Sequence, residues 1–173
     1  MSAVLGMTAE EIHEVIDPLE NVQVANYNCP GQIVISGTLD ALELAAEKLK
    51  AAGARRILPL NVSGPFHSYL LEEAGNKLGE CLKNIPVHEP RIPYVANVNA
   101  KYVRTAAEVK PLLTKQISSS VRWQQSVEAM IADGVDRFIE IGPGKTLAGF
   151  IKKIDRNVTV INIEKVEDLE KLN

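Results

Sequence analysis

Between Ser2 and Val62 the sequence spells out the order β-α-β-β-α-β, and few folds accommodate it. Ser2 to Met7 reads as a short strand. Thr8 stands at an N-cap position with Glu11 three residues on, a capping box. Ile12, Val15 and Ile16 then recur at helical spacing until Asp17-Pro18 ends the helix. Val22 to Asn28 alternates, with Val22 and Val24 on one face and Gln23 and Ala25 on the other. Asn28-Cys29-Pro30-Gly31 is turn chemistry, and Gln32 to Thr38 is the β-branched return strand of a hairpin. Leu39 to Ala52 is a helix with Leu42, Ala45, Ala46 and Leu49 on one face and Gly53 at C′. Arg55 to Val62 is the fourth strand. Connection rules turn this order into a four-stranded antiparallel sheet with two helices on one face, the ferredoxin-like arrangement.

The character changes at Ser63-Gly64-Pro65. Ser68 to Asn84 reads as a helix with Leu70, Leu71, Ala74, Leu78 and Leu82 as its apolar stripe. Pro86 to Pro93 is extended, Tyr94 to Val98 a short strand, and Ala106 to Gln116 and Val121 to Ala132 two helices broken at Ser118-Ser119-Ser120. Arg137 to Ile141 reads as a buried strand, and Gly142-Pro143-Gly144 turns into a helix from Lys145 to Ile154. Val158 to Ile163 is a strand, and Val166 to Leu172 a closing helix. Strands alternating with helices imply parallel βα units. This α/β part offers about three strands, fewer than the five or six of an average sheet.

At 173 residues the chain admits one domain or two small lobes. With 46% hydrophobic and 24% charged residues it is neither a disordered chain, a collagen nor a disulfide-dense mini-protein. Cys29 and Cys81 form no CxxC pair and read as free thiols in a reducing compartment. A net charge of −3 weighs against nucleic acid as partner. No apolar run approaches the ~20 residues that cross a bilayer. The segment Met1–Met7 lacks the basic region of a signal peptide, so a cytoplasmic protein with no membrane partner is expected.

His13, on the polar side of its helix, and His88, in the Pro-rich stretch, read as solvated surface residues. His67 differs: it follows a strand and precedes a helix, a junction where α/β folds place functional groups. No Gly-x-Ser-x-Gly elbow occurs in the chain, and neither cysteine has a nucleophile's context. Gly144-Lys145-Thr146 invites a phosphate-loop reading, but the full motif needs glycine where Ile139 stands. A tight turn is the plainer reading, with free N–H groups for an anion as the alternative. No metal-ligand spacing is present. Asp133 and Asp136 flank a helix-end loop, and Glu164 to Glu170 reads as a solvated acidic face. Basic residues gather at Lys48, Lys50, Arg55 and Arg56, and at Lys145, Lys152, Lys153 and Arg156. These are a solvated surface or a docking face for an acidic partner or phosphate groups.

Several stretches in order carry a family resemblance. They are Ser2-Ala3-Val4-Leu5-Gly6, Val24 through Gly37 (VANYNCPGQIVISG), and Leu58 through Ser68 (LPLNVSGPFHS), then Gln116 with Ser119, Val121, Arg122 and Trp123, and finally Glu140 through Lys145 (EIGPGK). Together they resemble the malonyl-CoA:acyl carrier protein transacylases of bacterial fatty acid synthesis, over Ser2 to about Ile154. The resemblance implies an α/β-hydrolase-like large subdomain with an inserted ferredoxin-like small one. Residues 1–62 would be the small subdomain, and 63–173 the C-terminal portion of the large one. It also implies a ping-pong transfer of malonyl from coenzyme A, through a serine in a Gly-His-Ser-x-Gly elbow, to the phosphopantetheine thiol of acyl carrier protein. Beyond malonyl-CoA and that acceptor, no cofactor is implied. His67 matches the catalytic base and Gln116 the residue whose main-chain carbonyl holds the other ring nitrogen. Phe66 matches a position linked to extender choice, in a malonyl-type pattern. Gly142-Pro143-Gly144 matches a motif of structural support near the site.

The serine elbow, the glutamine-containing oxyanion loop and the arginine that pairs with the malonyl carboxylate have no match in these residues. The chain is therefore expected to supply the histidine half of a site, as a truncated, partial or split polypeptide whose partner is the N-terminal half of the acyltransferase domain. Two rival expectations are a non-catalytic module that binds acyl carrier protein or a small ligand, and an acyltransferase for a different acyl group.

Overall fold

In a computed structural model, which describes residues 1–172, the strand β1 (Ser2–Leu5) leads into a helix capped as its sequence predicts. The Thr8 hydroxyl accepts from the Glu11 amide at 3.2 Å, and the Glu11 carboxylate accepts from the Thr8 amide at 2.8 Å. Helix α1 (Ala9–Ile16) buries Ile12 and Ile16. Strands β2 (Val22–Cys29) and β3 (Gln32–Gly37) form the predicted hairpin about Pro30-Gly31. Helix α2 (Leu39–Ala51) and strand β4 (Arg56–Pro59) follow. The sheet order is β2-β3-β1-β4, with every neighbouring pair antiparallel.

Alternation decides which side chains meet the helices. Val4, Val22, Val24, Ile33 and Ile35 face Ile12, Ile16, Ala45 and Leu49 in one core. Val4, Ile12, Ile16, Ile35 and Leu49 are at most 1% exposed. Burying a side chain of this kind contributes about 1.5–3 kcal/mol. The predicted faces hold, with Ala25 on the side opposite Val22 and Val24, and the structure adds a bulge and burial at that position. A register shift between Val24 and Asn26 inserts Ala25 as a bulge, and Ala25 is buried with Ala3 and Val34 on the sheet's other side.

Later residues follow the predicted elements less closely. The helix expected from Ser68 opens as a 3₁₀ turn, Tyr69–Leu71, before α3 (Glu72–Leu82). Strand β5 (Tyr94–Ala96) pairs antiparallel with an unpredicted strand β6 (Lys101–Val103), through a turn where Ala100 has φ 55°. Helices α4 (Ala106–Gln116) and α5 (Trp123–Ala132) come next. Strand β7 (Arg137–Ile141), helix α6 (Thr146–Ile154) and strand β8 (Thr159–Ile163) make the expected parallel βαβ unit. The buried strand expected at 137–141 is not buried: Ile141 is 81% exposed. Strand β7 pairs only with β8 among the described residues, so one edge and part of one face lie open. The closing segment Val166–Leu172 is 3₁₀ and not α-helical. The Asp168 carboxylate organises it by accepting from Lys171 Nζ and from the amides of Lys165 and Glu164, which holds its carboxyl well below the usual range.

The histidine expectations divide. His88 is exposed. His13 is not simply solvated: its Nδ1 lies 2.8 Å from Asp17 Oδ1 and its Nε2 2.8 Å from the Tyr27 hydroxyl. Among the described residues no helix is long and apolar enough to cross a membrane.

Residues 117–122 run beside the open edge of β2 and join the two stretches of chain. The Tyr27 amide donates to the Val121 carbonyl at 2.9 Å, and the Val121 amide donates to the Ala25 carbonyl at 2.8 Å. Ser120 Oγ donates to the Val24 carbonyl at 2.6 Å.

Candidate active site

The loop after β4 carries His67 in a backbone conformation that its side chain disfavours. Its φ is 55°, in the left-handed region. For a residue with a Cβ this costs about 1–2 kcal/mol, and such strain persists where neighbouring groups hold it. Three contacts do so here. Ser68 is fully buried, and its Oγ donates to the Pro65 carbonyl at 2.6 Å. Gln23 Nε2 donates to the His67 carbonyl at 3.2 Å. His67 Nδ1 lies 3.1 Å from the Gln116 carbonyl oxygen. A carbonyl can only accept, so Nδ1 carries the hydrogen in this pair. The neutral ring therefore presents a bare Nε2 lone pair.

Gln116 ends α4, and its carbonyl belongs to the last turn, where helix carbonyls lack intrahelical partners. That carbonyl also accepts from the Ser119 amide at 3.4 Å. The Gln116 side chain folds over the next turn, with Nε2 donating to the Ser119 carbonyl at 3.0 Å. Close helix packing brings α4 near the loop. At buried Gly75 of α3, a Cβ would stand 2.9 Å from the Thr114 carbonyl oxygen, so only glycine allows this approach. Phe66, 43% exposed, lays its ring over Gly64. The structure thus brings two of the three sequence-predicted site residues into contact, His67 and Gln116, while Phe66 adjoins His67 along the chain with its ring over Gly64.

The turn at 142–144 does not offer an anion site. The Glu140 carboxylate already accepts from the amides of Leu147 and Ala148 at 3.0 and 2.9 Å, filling the N-terminus of α6. Glu164 accepts from the Gly144 amide at 3.4 Å. Burial pushes the Cys29 thiol up, only partly offset by Lys153, the opposite of an activated nucleophile. Among the described residues no group of three or more His, Cys, Asp or Glu side chains could hold a metal ion.

Sequence reasoning missed Gln23 and Ser120, which tie both halves of the His67–Gln116 pair to β2. The alternation of Val22 and Val24 already turns Gln23 away from the core. Its partners lie 44 and 46 residues further along the chain, beyond the reach of local pattern.

A family model described as the acyl transferase domain matches residues 1–168. The chain belongs to the acyl transferase domain family. Curated acyl transferases resemble it over nearly its whole length. The malonyl CoA-acyl carrier protein transacylase of Bacillus subtilis (strain 168) is 45% identical over 174 residues, 98% of this chain and 55% of that protein. The chain thus spans little more than half the length of such a relative. Among solved acyl transferase structures, the malonyl CoA-acyl carrier protein transacylase from Clostridium perfringens Atcc 13124 superposes with a TM-score of 0.94 at 45% identity. It covers 99% of this chain and 55% of that one. A type II PKS acyl-carrier protein in complex with its malonyl-transacylase matches with a TM-score of 0.94 at 35% identity, covering 98% of this chain and 56% of that one.

Proposed function

We propose that this chain carries the histidine half of a malonyl transacylase site. It moves malonyl from malonyl-CoA to the phosphopantetheine thiol of acyl carrier protein once a serine-bearing segment completes the site. The observation that carries this is His67 Nδ1 at 3.1 Å from the Gln116 carbonyl, which leaves Nε2 to exchange protons. In the first half-reaction, the serine oxygen attacks the thioester carbonyl while Nε2 takes the serine proton. The C–S bond then breaks as Nε2 returns that proton to the coenzyme A sulfur. In the second, the phosphopantetheine thiol gives its proton to Nε2 and attacks the serine ester, and the serine oxygen recovers the proton. A backbone carbonyl does here what aspartate does in the usual triad: it fixes the tautomer and supports the imidazolium as it forms. No cofactor enters these steps beyond the phosphopantetheine of the acceptor.

Phe66, before His67 and partly exposed, is the residue we assign to acyl-group selection. In this reading residues 1–62 are a ferredoxin-like small subdomain, which the β2-β3-β1-β4 order supports. Residues 63–173 are the C-terminal portion of an α/β-hydrolase-like large subdomain. The free cysteines, Cys29 buried and Cys81 exposed, suit a reducing, cytoplasmic setting.

A basic end of the sheet supports an acidic carrier as partner. The register sets both Gln32 and Arg56 opposite Leu5, and Lys153 Nζ reaches Gln32 Oε1 at 3.4 Å. Arg56 and Lys153, which the sequence assigned to two separate clusters, thereby stand at one end of one sheet.

The test mixes this chain with a serine-bearing N-terminal segment of a relative such as the Bacillus subtilis protein. It measures malonyl transfer from malonyl-CoA to acyl carrier protein. Transfer that needs both pieces supports the reading. Tight binding of carrier protein by this chain alone, with no transfer in the mixture, points instead to a non-catalytic binding module. Transfer of another acyl group in preference to malonyl would assign a different substrate.

A further inference from the structure

A carboxamide presents one N–H donor edge and one carbonyl acceptor side by side, as a single residue of a neighbouring parallel strand does. Gln23 uses its carboxamide in this way. Its Nε2 donates to the His67 carbonyl at 3.2 Å, and its Oε1 accepts from the Tyr69 amide at 3.1 Å. These two backbone groups flank Ser68, so one side chain supplies the pairing that a neighbouring strand would give to residue 68. Tyr69 adds a second tie, its hydroxyl donating to Asn21 Oδ1 at 2.6 Å. The same strand also holds the other half of the pair. Ser120 Oγ reaches the Val24 carbonyl, Val121 pairs with Ala25 and Tyr27, and the Gln116 side chain closes on Ser119. Strand β2 is thus the common rail from which His67 and its carbonyl partner both hang.

We propose that Gln23 is a positioning residue: its carboxamide holds His67 in the left-handed conformation that brings Nδ1 onto the Gln116 carbonyl. The disfavoured φ of 55° supplies the reason that a clamp is needed. Released from Gln23, the loop relaxes toward ordinary backbone angles and the ring leaves Gln116. An imidazole free in water favours the other tautomer, with the hydrogen on Nε2. That would occupy the nitrogen which the proposed chemistry needs bare. For turnover this inference rests on the function proposed above. For ring geometry it does not.

The test reads the ring directly in the full chain, by long-range ¹H–¹⁵N correlation of the His67 imidazole at a pH where it is neutral. In the unaltered chain the hydrogen is expected on Nδ1. Gln23→Met keeps side-chain length but removes both hydrogen bonds, and should shift the population toward the Nε2–H tautomer. Gln23→Glu keeps the acceptor for the Tyr69 amide but sets a carboxylate oxygen against the His67 carbonyl, so it should shift the tautomer as well. A general loss of packing would lower the melting temperature and leave the tautomer unchanged. That outcome in either folded variant overturns the proposal, and so does an unaltered chain with its hydrogen on Nε2. The mixed-segment transfer assay adds a second readout. Misplacing a reacting group by about 1 Å can cost about 100-fold, so kcat should fall at least about tenfold with KM little changed. If the unaltered mixture transfers nothing, the functional reading fails while the tautomer result still decides the role of Gln23.

Discussion

The first sixty residues and those that follow solve the problem of burial differently. In the first stretch, alternating strands and two amphipathic helices close around a main core whose buried residues run from Val4 to Leu49. In the second, Ala96, Val98 and Val103 form a small cluster, while Ile92, Ile141 and Val166 are 80%, 81% and 78% exposed. An antiparallel sheet with helices on one face can satisfy itself locally. A parallel βαβ unit has two faces and two edges to cover, and β7–β8 has cover for only some of them. Local pattern therefore reports most strands in both stretches, but it reports burial only where the covering residues lie within the same stretch.

Truncation variants would break or sharpen that contrast. Leu49→Ala, at a position with no exposure, should cost about 2–5 kcal/mol in denaturant unfolding. Ile141→Ala should change stability by less than about 0.5 kcal/mol. Comparable losses at the two sites would contradict the account. In the second stretch the α3–α4 contact is nonetheless tight. Gly75→Ala should cost about 1–3 kcal/mol by overpacking against the Thr114 carbonyl, read from the same unfolding curves.

A smaller effect depends on pH. The Glu108 carboxyl lies below its usual range because the Thr105 hydroxyl and the amides of Thr105 and Arg104 donate to it. The folded chain thus binds this proton less readily than the unfolded one. Its stabilisation is complete above the ordinary glutamate range and is lost as pH falls through the depressed folded value. Thr105→Ala should therefore lower the melting temperature at neutral pH, and the gap from the parent should close on acidification. The mildest probe perturbs nothing: at neutral pH a thiol reagent should label exposed Cys81 readily and buried Cys29 only on unfolding.

What the sequence made legible follows the same division. The β-α-β-β-α-β order, the Thr8 cap and the hairpin at Pro30-Gly31 rest on contacts close along the chain, and all appear in the structure. The junction position singled out His67, and resemblance added Gln116 and Phe66. The structure sets His67 Nδ1 on the Gln116 carbonyl. The strand at Lys101–Val103 escaped notice because its turn, Asn97 to Ala100, lacks glycine and relies on a left-handed alanine. His13 looked solvated because Tyr27, which bonds it, belongs to a different element. Gln23 stayed invisible for the same reason across a longer span, since a glutamine on a strand's outer face is ordinary until its partners are known.

The central claim is that His67, held by a backbone carbonyl, supplies the base to a serine outside this chain. Its most direct test is the single-turnover release of coenzyme A on mixing this chain, a serine-bearing segment and malonyl-CoA. The account predicts a burst matching the amount of the limiting piece, reduced at least about 100-fold in rate by His67→Ala. A burst of unchanged rate with His67→Ala would contradict it.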